Sequence, residues 1–486
     1  MLGEKKKKMK KNLIKLILLV STGFLISTGV SCQKSQPSSD QNTQSQEIQA
    51  DSGTTVANEQ DSNNTQENSE NLQNPGVLPD DSAQMPAADS NPTTDSDKPS
   101  SGDSNKPTAE KPALDPNFPF QNSEAAIQES EARIESEDFD GALQILLEAE
   151  YHFGHSKDLS DAYWKAYLAH PKLNAEPQLL EVGKDVTGIK RIGGGSSLVY
   201  KLYKDKQTIA AFKPFQKRFQ SNHRAEIAAY RLCPLIKCGY DIPVNLPVYF
   251  DYQAFSGLYA RNAANPKEEF NEIIPTKLPG DVHRVEGTFK DWIPDYADYP
   301  IEFKTIWESW LNPGTTRDDL NTPLSEVIPL IAKKHKGGDK FAQKLAPHLE
   351  NTSKYDLARQ ISNMLVFDYL INNWDRFSGS PALYGVNCQI VKGRFMSIDN
   401  GAGFPKTPNS KPDKHLHEIS RFSKATYNAI VDLENHHDEV NNILFPNPSD
   451  VEKDRLATFW NQRRNYLDYV NQCIKKNGES ETFFFE

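Results

Sequence analysis

Aromatic side chains are absent from one long segment of this 486-residue chain. Residues 33–115 contain none of the 48 Phe, Tyr and Trp residues, whereas residues 116–486 contain 47 of them. The segment is mostly Gln, Ser, Asp, Asn, Thr, Pro and Ala, and it cannot bury enough apolar surface to offset its ordering entropy. We therefore predict that residues 33–115 form a disordered, low-complexity linker with an end-to-end distance of about 50 Å.

Acidic residues outnumber basic residues in the chain beyond residue 32. The net charge is −11 for residues 33–115 and −6 for residues 116–486. This acidity gives no electrostatic basis for binding nucleic acid or an anionic membrane surface, so we expect no nucleic-acid partner. The overall composition further excludes collagen-like, coiled-coil and multi-span membrane proteins.

The first 32 residues have the pattern of a secretory signal. A basic run precedes an apolar stretch at residues 16–30, which is shorter than the roughly 20 residues of a spanning helix. Small residues before Cys32 resemble the lipobox of bacterial lipoproteins, although Gly29 replaces the usual aliphatic residue. We expect an exported, extracytoplasmic protein of the cell envelope, anchored to a membrane by a lipid on Cys32. An ordinary cleaved signal or an uncleaved anchor is the alternative.

Residues 116–178 are predicted to form a short helical section. Apolar residues recur at helical spacing from residue 122 to residue 173, with a break at Gly154. Residues 125–149 resemble a single tetratricopeptide-like hairpin, and one unit is below the repeat number that such folds need. The section is interpreted either as a groove for a peptide partner or as a helical collar packed on the next domain.

A glycine-rich turn opens the region that carries chemistry. Strand patterns at residues 187–192, 198–203 and 208–213 predict two successive hairpins. The tip between the first two strands consists of Gly193, Gly194, Gly195, Ser196 and Ser197. Such a tip lets backbone N–H groups approach a phosphate, and Lys213 at the end of the third strand can reach the same phosphates. The alternative is that the glycines serve only the sterics of a hairpin.

A glutamate and two aspartates follow in predicted buried elements. Glu226 lies on a predicted helix at residues 223–232, where it can orient Lys213 or remain a solvated surface residue. Asp375 follows a predicted buried helix at residues 356–373, and Asp399 ends a predicted hairpin at residues 389–398. Two carboxylates placed in this way suit phosphoryl transfer, one taking a proton and one holding a divalent metal. Both are otherwise interpreted as turn formers.

Taken in order, these motifs resemble the secretory-pathway kinases related to four-jointed and the Golgi casein kinase, which are atypical members of the protein-kinase-like fold. The resemblance covers residues 180–480. It is carried by Phe367-Asp368-Tyr369-Leu370, residues 372–377, residues 398–401, residues 210–214 and residues 226–232.

The resemblance implies an α+β, two-lobed kinase-like domain at residues 179–486 that uses ATP with Mn²⁺ or Mg²⁺. It implies that the turn from Gly193 to Ser197 covers the nucleotide phosphates and that Lys213, paired with Glu226, contacts them. Asp375 would be the catalytic aspartate and Asp399 a metal ligand. The family usually has an Asn about five residues after that aspartate as a second metal ligand. Residues 380 and 381 are Ser and Pro here, so Asn387 is the nearest substitute.

Three functions are weighed on this basis. The first is an exported kinase that transfers the ATP γ-phosphoryl group to a hydroxyl on a protein or a glycan. The second is a pseudokinase scaffold, and the third is a binding lipoprotein at the cell envelope whose motifs are coincidental. We favour the kinase because Lys213, Asp375 and Asp399 are all present. The scarcity of ATP outside the cytoplasm favours the pseudokinase.

Cysteine usage is compatible with export. Apart from Cys32, the chain contains Cys233, Cys238, Cys388 and Cys473. In an oxidising compartment these could form two disulfides with three alternative connectivities. Buried free thiols are the alternative.

Overall fold

The computed structural model describes residues 118–192, 197–218, 221–262, 269–377 and 385–485. The predicted signal, the lipidation of Cys32 and the predicted linker lie outside these ranges and stay predictions. Across the ranges that are described, every helix is too short or too polar to cross a bilayer.

A bundle of three helices begins the described chain. These are α1 (Ser123–Glu135), α2 (Phe139–Phe153) and α3 (Lys157–Ala169). Each begins at a polar N-cap residue whose side-chain oxygen accepts a backbone N–H three residues later, which satisfies one of the unpaired donors of the first turn. Gly154 ends α2 with a φ of 85°, a conformation that favours glycine. The three helices bury a small core of their own.

A seven-stranded sheet follows and forms the first lobe. Its strands are β1 (Gln178–Leu179), β2 (Gly188–Arg191), β3 (Tyr200–Lys204), β4 (Gln207–Pro214), β5 (Asn245–Asp251), β6 (Thr276–Leu278) and β7 (Val282–Asp291). The order is β1-β5-β7-β4-β3-β2, with β6 paired to β7. All pairings are antiparallel except β1 with β5. The predicted succession of two hairpins is found as β2, β3 and β4.

Two helices pack on this sheet. Helix α4 (His223–Leu235) contacts β5 and β7, and its apolar residues belong to the core of the second lobe. Helix α5 (Tyr252–Asn262) packs Phe255 against Phe212 and Phe250 in the separate core of the sheet lobe. Helix α4 therefore lies between the two hydrophobic cores.

The second lobe is mainly helical. Its α-helices are α6 (Arg317–Leu320), α7 (Val327–Lys334), α8 (Gly338–Leu349), α9 (Lys354–Leu370), α10 (Ser410–Leu416), α11 (Lys424–Asp432), α12 (His437–Leu444), α13 (Asp450–Asn477) and α14 (Glu479–Thr482). Short 3-10 helices occupy Lys304–Ile306, Glu308–Leu311, Leu324–Glu326, Asn400–Ala402 and Leu433–His436. A three-stranded antiparallel sheet is built from β8 (Ala297–Asp298), β9 (Cys388–Val391) and β10 (Arg394–Ser397).

Helix α9 runs through the centre of this lobe. It is apolar on most of its circumference and is buried from Leu357 onward except at Arg359, as the sequence predicted. It ends at Leu370, before the predicted end at residue 373, because Asn372 adopts a left-handed φ of 51°. The α+β, two-lobed architecture with a preceding helical section confirms the predicted fold class.

The four cysteines show both predicted alternatives, because two of them form a disulfide and two are free thiols. Cys233 and Cys238 form a disulfide with a Cα–Cα distance of 5.2 Å, whereas Cys388 and Cys473 are buried free thiols. The disulfide closes the turn that follows α4.

Candidate active site

Lys213 lies at the end of β4, a central strand of the sheet, with its side chain buried. Its Nζ is 2.8 Å from Glu226 Oε1 and 2.5 Å from Asp399 Oδ1. Burial disfavours the charge of Lys213, but Asp399 and Glu226 outweigh that effect and hold its pKa above the ordinary value. The side chain is therefore a fixed ammonium group between two carboxylates from other elements.

Glu226 lies in the first turn of α4 and is fully buried, which excludes the solvated alternative. Oε1 accepts from Lys213 and from the backbone N–H of Gly401 at 3.1 Å. Oε2 accepts from Lys290 at 3.0 Å and from the backbone N–H of Asn400 at 3.1 Å. Burial alone would raise the pKa of Glu226, but Lys213 and Lys290 hold it well below its usual range.

Lys290 was not predicted from the sequence. It lies on β7, opposite Ala211 of β4. Ala211 and Lys213 are two residues apart on one strand and share a face, so Lys290 lies on the same face as Lys213. Lys290 could be assigned to the site only from the pairing register of β4 with β7, which a single sequence does not specify.

Asp399 begins a tight turn at the end of β10. It has a φ of 56° and precedes the 3-10 turn Asn400–Ala402. A Cβ on Gly401 would lie 2.7 Å from Lys213 Nζ and 3.3 Å from the backbone nitrogen of Asn222. A larger residue at this position would therefore displace the Lys213 ammonium group or crowd the start of α4. Asp399 remains 40 % exposed, so its carboxylate is open to solvent on one side.

The segment that carries Asp375 is anchored by a buried ion pair. Arg376 binds both carboxylate oxygens of Asp368 on α9, at 2.8 and 2.9 Å. The same guanidinium donates to Asn400 Oδ1 at 2.8 Å and to Ser397 Oγ at 2.7 Å. Arg376 thus joins the Asp375 segment to the turn that carries Asp399. Asp368 and Arg376 belong to sequence motifs described above, but their pairing was not predicted.

Asn387 lies beside Asp375. Its side-chain amide donates to Asp375 Oδ2 at 3.2 Å and to the Asp375 carbonyl oxygen at 3.3 Å. The backbone N–H of Asp375 donates to Asn373 Oδ1 at 3.3 Å. The structure therefore gives the amide nitrogen of Asn387 a contact that orients Asp375, and the metal-ligand role of its amide oxygen stays a prediction.

Only part of the predicted glycine-rich turn lies within the described ranges. Gly193, Gly194, Gly195 and Ser196 lie outside them, whereas Ser197 is described and buried. Beside it, the buried Gln216 accepts the Leu198 N–H at 2.7 Å and donates to the carbonyl oxygens of Leu198 and Pro214. Gln216, three residues after Lys213, therefore connects the C-terminal side of the turn to the end of β4. Its role was not predicted from the sequence.

The oxygen donors fit a hard cation that also binds phosphate. Among the described residues, no group of three or more His, Cys, Asp or Glu side chains could hold a metal by itself. Mg²⁺ sites commonly use one or two protein carboxylates together with substrate phosphates and water. Asp399 and the amide oxygen of Asn387 are oxygen donors of the kind that such a site uses, and neither is a thiolate or an imidazole of the kind that a structural zinc site uses.

Glu302 lies near the segment that carries Asn387, and its pKa is shifted in the opposite direction to that of Glu226. It accepts the backbone N–H of Gly385, two residues before Asn387, at 3.1 and 3.2 Å. Burial raises the pKa of Glu302 to about 7. The site region therefore includes an acid that titrates near neutral pH.

Comparisons with known proteins assign no family. No family model and no curated protein sequence matches the chain. Two solved structures of the Golgi casein kinase, one with Mn and ADP bound, are each 13 % identical with a TM-score of 0.36. The first alignment covers 77 % of this chain and 96 % of that chain, and the second covers 75 % and 93 %.

Proposed function

We propose that this protein is an exported, metal-dependent kinase that transfers the ATP γ-phosphoryl group to a hydroxyl on a protein or a glycan. Lys213 would contact the nucleotide phosphates together with the turn from Gly193 to Ser197. Asp399 would bind Mn²⁺ or Mg²⁺, and Asp375 would be the catalytic aspartate. Export and a lipid anchor at Cys32 would place this activity at the cell envelope.

The arrangement of Lys213 is the observation that carries the proposal. Its ammonium group is held by Glu226 from a helix and by Asp399 from a strand end, and the Asp399 turn is bonded to the Asp375 segment through Arg376. Phosphoryl transfer depends mainly on positioning and on fixed charges, and a buried lysine held by two carboxylates supplies both. If the motifs were coincidental, there would be no reason for residues this distant in sequence to lie in contact.

The residues would divide the reaction as follows. Asp375, oriented by Asn387, would accept a hydrogen bond from the acceptor hydroxyl and take its proton as the new oxygen–phosphorus bond forms. The bond between the γ-phosphorus and its bridging oxygen breaks at the same time, and ADP leaves. Lys213 would balance negative charge on the phosphates, with Glu226 keeping it in place. A divalent cation at Asp399 would supply further neutralisation of that charge.

A pseudokinase scaffold is the second candidate, and one observation favours it. The amide nitrogen of Asn387 is bonded to Asp375, and one carboxylate oxygen of Asp399 is bonded to Lys213, so both predicted metal-binding side chains already make contacts within the protein. A metal bound at Asp399 would compete with Lys213 for this carboxylate. In this alternative the fold would bind a partner without turnover.

Thermal unfolding of the full chain tests the kinase proposal. ATP with Mg²⁺ or Mn²⁺ at a hundredfold excess over its dissociation constant should stabilise the protein by about 2.7 kcal/mol, a shift of several degrees. Asp399→Ala should abolish this shift. Asp161→Ala, which removes an exposed carboxylate on α3, should leave it unchanged. Absence of a shift with either metal would contradict the kinase and favour a nucleotide-free scaffold.

A further inference from the structure

The helical section is attached to the far end of the helix that carries Glu226. The hydroxyl of Tyr163 donates to the carbonyl oxygen of Pro234, and that of Tyr167 donates to the carbonyl oxygen of Arg231, both at 2.8 Å. Both carbonyls lie near the C-terminal end of α4. Tyr167 is fully buried in the same core as the apolar residues of α4.

A buried ion pair reinforces this attachment. Lys237, in the turn after α4, is bonded to Glu150 on α2, and both side chains are at least 95 % buried. The Cys233–Cys238 disulfide closes this turn, and Lys237 has a left-handed φ of 51° within it. Lys237 Nζ also lies 4.9 Å from the centre of the Tyr163 ring. The turn is thus constrained on several sides to present one ammonium group to the helical section.

Buried ion pairs contribute little net stability, because desolvation offsets their attraction. Their effect is on geometry, since a buried charge strongly disfavours any arrangement that separates it from its partner. Helix α4 is held at its other end by Glu226 and by the bond from the Asn222 N–H to the Gly401 carbonyl. Helix α4 is therefore held at both ends, by the candidate active site at one end and by the helical section at the other.

We propose that the helical section is a positioning element for Lys213. Glu150, Tyr163 and Tyr167 hold α4 in the place where Glu226 meets Lys213, so they act on the site through the helix. A ligand that altered this contact would regulate the site. The effect on turnover rests on the proposed kinase function, whereas the effect on α4 does not.

Glu150→Gln in the full chain tests this proposal, with Glu131→Gln as the matched control. Glu131 pairs with Lys165 on the exposed surface of the same section. We expect amide hydrogen exchange within residues 223–235 to become roughly tenfold faster in Glu150→Gln, about 1.4 kcal/mol, and to stay unchanged in Glu131→Gln. Unchanged exchange in both variants would overturn the proposal.

The kinetic measurement separates positioning from general destabilisation. If Glu150→Gln leaves α4 in the competent position for only part of the time, the apparent KM for ATP rises by the reciprocal of the competent fraction, while kcat at saturating ATP is retained. General loss of folded protein would lower kcat and leave KM unchanged, which contradicts positioning. Failure of the unchanged protein to bind ATP would instead contradict the kinase function, and hydrogen exchange would still decide the role of Glu150.

Two further variants guard against misfolding. The double variant Glu150→Gln with Lys237→Met removes both buried charges, so exchange at residues 223–235 should return toward the original rate. Tyr167→Phe removes one hydrogen bond to Arg231 and keeps the buried ring. It should still speed exchange in the last turn of α4, and its failure to do so in a folded protein would also overturn the proposal.

Discussion

Two buried lysine–glutamate pairs lie at opposite ends of α4, and they differ in their surroundings. Lys213 and Glu226 have additional partners, including Lys290, two backbone N–H groups and the partly exposed Asp399. Lys237 and Glu150 have the side chain of His155, 3.1 Å from Glu150, within a closed interface between helices. A buried ion pair therefore does not by itself indicate a functional site. The extra charges and the access to solvent distinguish the first pair from the second.

The largest expected effect concerns the charge nearest to the proposed reaction. Asp375→Asn keeps an oxygen that can accept the Asn387 hydrogen bond but removes the proton acceptor. We expect kcat to fall by roughly 10²–10⁴-fold, with the dissociation constant for ATP unchanged. Asp161→Asn, on the helical section, should have full turnover. Full activity of Asp375→Asn would show that this residue does not take the proton. The Lys213–Glu226 pair would then have no more functional support than the Lys237–Glu150 pair.

The two lysines should differ in their effects on stability. Lys237→Met leaves Glu150 buried without its lysine, so the free energy of unfolding should fall by about 3–5 kcal/mol. Lys213→Met should reduce it by about 1–3 kcal/mol, because Glu226 retains Lys290 and two backbone donors.

Urea unfolding measures both losses, and thermal unfolding with ATP and Mg²⁺ completes the comparison. Of the two variants, only Lys213→Met removes a side chain that would contact the nucleotide, so only this variant should directly lose the stabilisation by ATP and Mg²⁺. A larger stability loss for Lys213→Met than for Lys237→Met would contradict the view that the first pair is supported by its additional partners.

The smallest expected effect is a pH dependence that distinguishes Glu302 from Glu226. The pKa of Glu302 is about 7 in the folded chain and near 4.5 when the residue is solvated, so the folded state holds its proton more tightly. The free energy of unfolding should therefore fall by about 1–3 kcal/mol as the pH rises from about 4.5 to 7. The pKa of Glu226 is lowered in the folded chain. Its contribution to the free energy of unfolding is therefore present above its ordinary pKa and is lost only in strong acid.

Chemical unfolding across this pH range checks the prediction. Glu302→Gln should remove this component of the pH dependence, whereas Glu131→Gln should leave it in place. An unchanged pH profile in Glu302→Gln would show that the burial of Glu302 does not control its protonation.

Much of the candidate site could be predicted from sequence because its residues occur in locally recognisable settings. Lys213 ends a strand pattern, Glu226 begins a helix, and Asp399 precedes Asn and Gly, which favour a tight turn. Lys290, Gln216 and the Asp368–Arg376 pair could not be predicted in these roles. Each acts through a partner on another element, and no local pattern encodes that pairing.

The sequence by itself determined the α+β class, the two hairpins, the buried helix α9 and the identity of the ionisable groups. These follow from periodicity and turn chemistry, which act over a few residues. Only the tertiary structure decided that four donors converge on Glu226, that Asn387 orients Asp375, and that the helical section holds α4 through Lys237. Those contacts depend on strand register and on helix packing, which are set by the burial of the whole core and not by neighbours in sequence.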